Sequence, residues 1–207
     1  MNIGTAWNCL GWICNSDEKV LVKVRSDPRF VDFLMLTSDL IVDSAKGGNV
    51  VSLKLFAIQH YSNIIHSLAK LDVPLADAST LSPLLNTLCS HTLPLIISSG
   101  KPQEVANTAW SLAKMFGSSK HNFDLSIILP FFLALDKKGL WLVENGTCQA
   151  LSNTAWSFAT LSLQAPNFFE VLESNTHGSV RILREGKPQE IANTGKSTSS
   201  ARFTITM

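Results

Sequence analysis

The sequence predicts an all-α protein, an α-solenoid in which pairs of helices stack on one another, and three observations support that fold class. The tetrapeptide Asn-Thr-Ala-Trp occurs at 107–110 and 153–156, and Asn-Thr recurs at 193–194. Apolar residues within each copy recur at steps of three and four, as on one face of a helix. Each copy opens on a glutamine, and the separations of 44, 46 and 40 residues are typical of helical repeat arrays: Gln59, Gln103, Gln149 and Gln189.

Local signals place a repeat helix in every copy. The segment GKPQE at 100–104 puts a proline in the first helical turn, where its missing N–H has no partner, and a glutamate at the positive end of the helix dipole. Residues 186–190 repeat this segment, and Gly117 supplies a stop signal. The repeat helices are therefore expected near 2–14, 56–71, 102–116, 148–162 and 188–194.

Longer apolar segments between the copies predict the partner helix of each pair. They are rich in Leu, Ile and Phe, and Pro94 and Pro130 are expected to end or kink the helices that contain them. After Thr194 the helical period is lost, so the array is expected to span 1–194 and to be followed by an unstructured or aberrant tail at 195–207. The partner segments are about 29–45, 75–97, 122–143 and 166–183.

The packing of the copies can also be predicted. Alanines such as Ala109 let helices approach closely, and Trp110 and Trp156 are expected to fill the gaps between layers. Stacking of these two rings on bases is the alternative. The segment Thr5-Ala6-Trp7 matches the Thr-Ala-Trp of the later copies, so the chain is expected to begin inside a copy.

Composition and motifs exclude several function classes. The net charge of +1 favours no partner class, and the four cysteines have no Cys-x-x-Cys spacing, which predicts free thiols and neither a metal nor a cofactor. The longest apolar run, 127–135, is too short for a membrane helix. No phosphate loop, metalloprotease motif or nucleophile elbow is present, so we expect no enzyme and no small-molecule substrate.

One polar stripe of the repeat helices is the candidate binding surface. Asparagine is a poor residue for a helix interior, so its recurrence at one register has two competing explanations. Its amide could bond a backbone group of a neighbouring loop. Alternatively, the stripe could present hydrogen-bond donors and lysine charge to bases and phosphates. The candidate residues are Asn63, Ser67, Lys70, Asn107, Ser111, Lys114, Asn153 and Ser157.

The repeat resembles the octotricopeptide repeats and the related helical repeats of RAP-domain and FAST-kinase-like proteins. The resemblance is carried by 101–116 and 149–161, more weakly by 59–71, and in part by 188–194. It implies binding of single-stranded RNA in RNA processing, stability or translation control, in the mitochondrion or chloroplast. No RAP domain is visible in the chain. Because the period of 40 to 46 residues approaches that of armadillo and HEAT arrays, the alternative is a scaffold that binds other proteins.

Overall fold

The computed structural model describes residues 3–15, 17–45, 57–72, 84–117, 124–174 and 178–205, and these residues are predominantly helical. They contain no strand, so the expected all-α class is confirmed. Some parts of the expected helices lie outside the described residues: positions 2 and 56, and the segments 75–83, 122–123 and 175–177.

Twelve α-helices lie within the described residues. They are α1 (Ile3–Asn15), α2 (Glu18–Arg25), α3 (Pro28–Ala45), α4 (Ile58–Leu71), α5 (Leu93–Ser99), α6 (Pro102–Phe116), α7 (Leu129–Lys137), α8 (Gly139–Asn145), α9 (Cys148–Thr160), α10 (Pro166–Ser174), α11 (Ser179–Glu185) and α12 (Pro188–Ile205). A π-helical turn, Leu88–Thr92, precedes α5, and a short 3₁₀ helix, Leu125–Ile127, precedes α7.

The chain divides into two compact units, and the first contains α1 to α5. In this unit α1 packs along α4, and α3 packs on the π-helical turn. The approach of α1 to α4 is close, because a Cβ atom added at Gly11 would lie 2.8 Å from Ser67 Oγ. Trp7 is fully buried, stacks on Phe33 with ring centroids 4.8 Å apart, and donates from Nε1 to Thr37 Oγ1 at 3.0 Å.

The second unit contains α6 to α12. The repeat helices α6, α9 and α12 pack in chain order, α6 on α9 and α9 on α12. The partner helices α7 and α8 pack on α10. Asp136 of α7 joins them, since its carboxylate accepts from Asn167 Nδ2 at 2.6 Å and from the backbone N–H of Phe168 at 2.8 Å. The carboxylate therefore caps the N-terminus of α10 from a neighbouring helix.

The start of each repeat helix in the second unit is fixed by a side chain. The carboxylate of Glu104 accepts from the backbone N–H of Lys101 at 2.8 Å, and Glu190 does the same for Lys187. Thr147 caps α9 by accepting from Ala150 N. The repeated GKPQE segment is thus a helix-start device in both places where it occurs.

The two prolines that were expected to interrupt helices behave differently. Pro94 follows the π-helical turn, in which the N–H of Leu93 bonds the carbonyl of Leu88. Since Pro94 has no N–H to donate to Ser90, the helix widens just before it. Pro130 lies in the first turn of α7, where a missing N–H costs nothing, so it starts a helix and does not end one.

The C-terminal segment differs from the expected unstructured tail. Helix α12 continues past residue 194 as far as Ile205. Two hydroxyls donate hydrogen bonds to backbone carbonyls of the same helix: Thr194 Oγ1 to Glu190 O at 2.8 Å, and Ser197 Oγ to Asn193 O at 2.7 Å. A polar sequence without apolar periodicity can therefore remain helical when it continues a helix that is already started.

All four cysteines are free thiols: Cys9 is exposed, Cys14 and Cys89 are buried, and Cys148 is partly exposed. Burial raises the pKa of the Cys14 thiol, and it raises the pKa of the Cys89 thiol to about 12. Among the described helices, none has the length and hydropathy required to cross a bilayer.

Candidate nucleic-acid interface on the repeat helices

The two tryptophans of the repeated motif lie where α6 packs on α9 in the second unit. Trp110 and Trp156 are each partly exposed, and their rings are neighbours, with centroids 6.1 Å apart and planes inclined by 32°. The two rings meet between the adjacent repeat helices α6 and α9, as expected of residues that fill the gap between layers, but neither ring is fully buried. Trp7, which shares the Thr-Ala-Trp motif, is buried instead, so the motif at the N-terminus occupies a different environment.

Pro102 and Glu104 are partly exposed in the first turn of α6, and four further partly exposed residues recur at steps of four, three and four. On a helical wheel they fall within about 60° of one another, and the same positions of α9 are also accessible. We call these residues, with their counterparts in α12, the tryptophan stripe. It comprises Gln103, Asn107, Trp110 and Lys114 in α6, Gln149, Asn153, Trp156 and Thr160 in α9, and Gln189, Asn193 and Lys196 in α12.

Three contacts show that α6 and α9 run side by side in the same direction. At their N-terminal ends, Thr147 Oγ1 donates to Gln103 Oε1 at 3.4 Å. The tryptophan pair lies in the middle. At their C-terminal ends, a Cβ atom added at Gly117 would lie 2.7 Å from Thr160 Cγ2. Equivalent positions of the two helices are therefore adjacent along their whole length.

The serines of the predicted stripe do not reach the surface. Ser67, Ser111 and Ser157 are buried, with 2% exposure or less. The hydroxyls of Ser111 and Ser157 bond carbonyls of their own helices, those of Asn107 at 2.6 Å and Asn153 at 2.5 Å. These serines are therefore packing residues, because a small side chain that satisfies its own hydroxyl permits close approach of a neighbouring helix.

The asparagines are partly exposed in all four copies: Asn63, Asn107, Asn153 and Asn193. Within the described residues, none of their side chains bonds the backbone of an inter-helix loop. Asn107 Oδ1 instead accepts from Gln103 Nε2 at 2.8 Å, and Gln103 in turn contacts Thr147. This chain of bonds holds the Asn107 amide in one orientation.

The charge of the tryptophan stripe is positive. Lys114 Nζ lies over the Trp110 ring, 5.4 Å from its centroid, and Lys196 of α12 is exposed. None of the stripe residues is acidic. The nearest acids on α6 and α12, Glu104 and Glu190, bond backbone N–H groups at the helix starts. An anionic ligand along the stripe therefore meets lysine and amide donors.

The first unit carries the same row of residue types on α4. Gln59 is exposed there, and three further residues are partly exposed: Asn63, His66 and Lys70. Histidine thus occupies the position that holds tryptophan in α6 and α9. Three predicted candidates lie in the first unit. Asn63 and Lys70 are partly exposed, and Ser67 is buried.

Sequence reasoning missed the glutamines of the stripe and favoured a packing role for its tryptophans over base stacking. A signal for the glutamines was available, since each copy has a glutamine four residues before its asparagine. The tryptophans were assigned to the core because large apolar rings are usually buried. Only the position of the neighbouring helix distinguishes the Trp110 side of the stripe from the Ser111 side.

The first unit also contains an open apolar depression of about 310 Å³. Its charged members are already paired, since Arg29 bonds Asp27 and lowers the pKa of that carboxyl to about 2. With no further polar side chain in its lining, the depression offers little to orient a ligand, and we assign it none. It is lined by Ala6, Leu10, Val24, Asp27, Arg29, Phe30 and Phe33.

No cluster of potential metal ligands occurs among the described residues. Comparison of the chain with protein-family models, with curated proteins and with solved structures finds no significant match. The resemblance to octotricopeptide repeats therefore stays a prediction drawn from the repeat motifs themselves.

Proposed function

We propose that the chain binds single-stranded RNA through the tryptophan stripe. The observation that carries this proposal is the pair formed by Trp110 and Trp156, two partly exposed neighbouring rings at equivalent positions of adjacent repeats, with Lys114 over the first of them. The chain is on this view a binding module and not an enzyme.

The chemistry of the stripe favours an unpaired strand. Aromatic rings stack on exposed bases, a contact worth about 1–3 kcal/mol per base, whereas the bases of a duplex already stack on one another. Lysines such as Lys114 and Lys196 neutralise the phosphates that accompany those bases. Tryptophan also anchors protein interfaces, but a protein ligand has no regular row of phosphates to match the lysines, so single-stranded RNA accounts for more of the surface than a scaffold role does.

We also propose an overall fold and a cellular role for the chain. Within each unit consecutive repeat helices pack together, α1 on α4 in the first and α6, α9 and α12 in the second, which supports an α-solenoid for the chain as a whole. A role in RNA processing, stability or translation control in a mitochondrion or chloroplast rests on the octotricopeptide resemblance. Small-angle scattering tests the first proposal, and localisation of a fluorescently tagged chain tests the second.

Salt dependence provides the direct test of RNA binding. We expect the chain to bind a fluorescein-labelled single-stranded RNA more tightly than the matching duplex, with affinity falling as salt rises. Replacing Lys114 and Lys196 together with alanine should flatten the plot of log K against log salt by about 1–1.5, since each phosphate contact on a single strand contributes about 0.7. Fluorescence anisotropy over a salt series measures both quantities.

A matched control is available on the partner helices. Lys138 Nζ lies 5.0 Å from the centroid of the Trp141 ring, so it repeats the local geometry of Lys114 away from the repeat helices. Lys138→Ala should leave the slope unchanged. Binding that ignores salt and both stripe lysines, or a preference for an extended peptide over RNA, would favour the armadillo-like scaffold and overturn the proposal.

A further inference from the structure

The rows of the tryptophan stripe differ in how much they vary between copies. Two rows are constant: the glutamines, and the asparagines four residues after them. The next two rows vary. The first of these holds Trp110, Trp156 and Lys196, and the second holds Lys114 and Thr160.

A single-stranded nucleic acid also consists of a constant part and a variable part. Its sugar and phosphate recur identically at each nucleotide, while its bases change. A side chain that is constant from repeat to repeat is suited to the constant part of such a ligand, and a variable one is suited to the variable part. The asparagine row is thereby matched to the sugar-phosphate backbone and the rings of Trp110 and Trp156 to the bases, while Lys114 and Lys196 neutralise phosphates.

The chemistry of the asparagine side chain indicates which group of the sugar-phosphate backbone it bonds. The constant row is neutral, whereas phosphate is usually held by lysine or arginine, and lysine appears only in the variable rows. A carboxamide matches a hydroxyl, because each can both donate and accept a hydrogen bond. In the sugar-phosphate backbone the only hydroxyl inside a strand is the ribose 2′-OH, which is absent from DNA.

The geometry of Asn107 fits this role. Its Oδ1 accepts from Gln103 Nε2 at 2.8 Å, and its Nδ2 makes no hydrogen bond within the described residues. The amide thus presents an oriented donor on the same stripe as Trp110, one helical turn away. We propose that Asn107 and Asn153 bond the ribose 2′-hydroxyl and so select RNA over DNA, while Trp110 and Trp156 stack on bases without distinguishing the sugar; this inference rests on the proposed function.

The test compares one sequence in three chemical forms: RNA, DNA with deoxyuridine in place of thymidine, and fully 2′-O-methylated RNA. The native chain should bind the RNA about tenfold more tightly than the DNA, the size expected for two net hydrogen bonds. Methylation should also weaken binding, because it adds bulk at the 2′ oxygen that accepts from the asparagine Nδ2. Anisotropy titrations at one fixed salt concentration give the three affinities.

Replacing Asn107 and Asn153 together with alanine should reduce the RNA preference to within about twofold while DNA affinity stays unchanged. The control is Asn145→Ala, an exposed asparagine of α8 whose Nδ2 donates to the Trp141 carbonyl at 2.9 Å. It should retain the native preference.

The outcomes separate this inference from the proposed function. A native chain that binds RNA and DNA equally overturns the role of the asparagines and leaves single-strand binding intact. A double variant that keeps its RNA preference, or that loses affinity for RNA and DNA equally as a phosphate contact would, overturns it too. A native chain that binds neither strand overturns the proposed function itself. Because the three oligonucleotides are compared on the native chain, the sugar preference is measured even where a variant fails to fold.

Discussion

Replacing Trp110 and Trp156 together with alanine is expected to weaken binding of single-stranded RNA by at least about 30-fold. Each stacked base contributes about 1–3 kcal/mol, and the two rings lie side by side, 6.1 Å apart, on the accessible stripe. Each single variant should lose a part of this affinity. Quenching of tryptophan fluorescence by bound RNA should disappear in the double variant, because stacked bases quench the ring that they cover.

Trp141→Ala provides the control for the tryptophan pair. That ring is also partly exposed and also has a lysine over its face, but it lies on α8 among the partner helices. Its removal should leave RNA affinity unchanged. An equal loss in Trp141→Ala, or full affinity in the double variant with normal helical content by circular dichroism, would show that the stripe is not the binding surface.

The largest loss of stability in the second unit is expected from Phe158→Ala, at about 3–5 kcal/mol. Phe158 of α9 is 1% exposed, and its ring lies 5.4 Å from that of Phe132 in α7 and 5.8 Å from that of Phe168 in α10. It therefore joins a repeat helix to two partner helices, and its removal leaves a cavity between them. Urea denaturation followed by circular dichroism measures the free energy of unfolding.

Trp156 supplies the comparison for Phe158, because it lies two residues earlier on the same helix. Although its side chain is larger, Trp156→Ala should cost only about 1–2 kcal/mol, since a partly exposed ring has less apolar surface to lose. Equal destabilisation by the two variants would mean that Trp156 is a core residue, as its size and apolar character predict, and would remove the main support for base stacking.

The beginnings of the repeat helices are features that a sequence can specify. Proline in the first turn and a glutamate three residues after the N-cap act within a few residues, so their effect does not depend on the rest of the fold. The GKPQE segment predicts a helix start, and the bonds from Glu104 and Glu190 to the preceding backbone show how it works. The Thr147 cap of α9 is local in the same way.

The candidate site could be predicted only in part. Of the predicted stripe on α6, Asn107 and Lys114 are partly exposed and Ser111 is buried, while the neighbouring Trp110 is partly exposed. The predicted stripe and the tryptophan stripe share Asn107 and Lys114. They differ in that one contains Ser111 and the other contains Trp110, and neighbouring residues are separated by about 100° around the helix. The large apolar side chain of Trp110 predicts a core position. At a close contact between helices, however, a small residue such as Ser111 fits better than a large one.

The sequence by itself determined that this protein is all-α, that it repeats, and where most repeat helices begin, because helical periodicity and capping are encoded over a few neighbouring residues. The tertiary structure alone decided which side of each repeat helix is covered, that Trp7 is buried while Trp110 and Trp156 are not, and that α12 continues to Ile205. The physical reason is that a period of 3.6 residues shows which side chains share a face, but only the packed neighbour determines which face is removed from water.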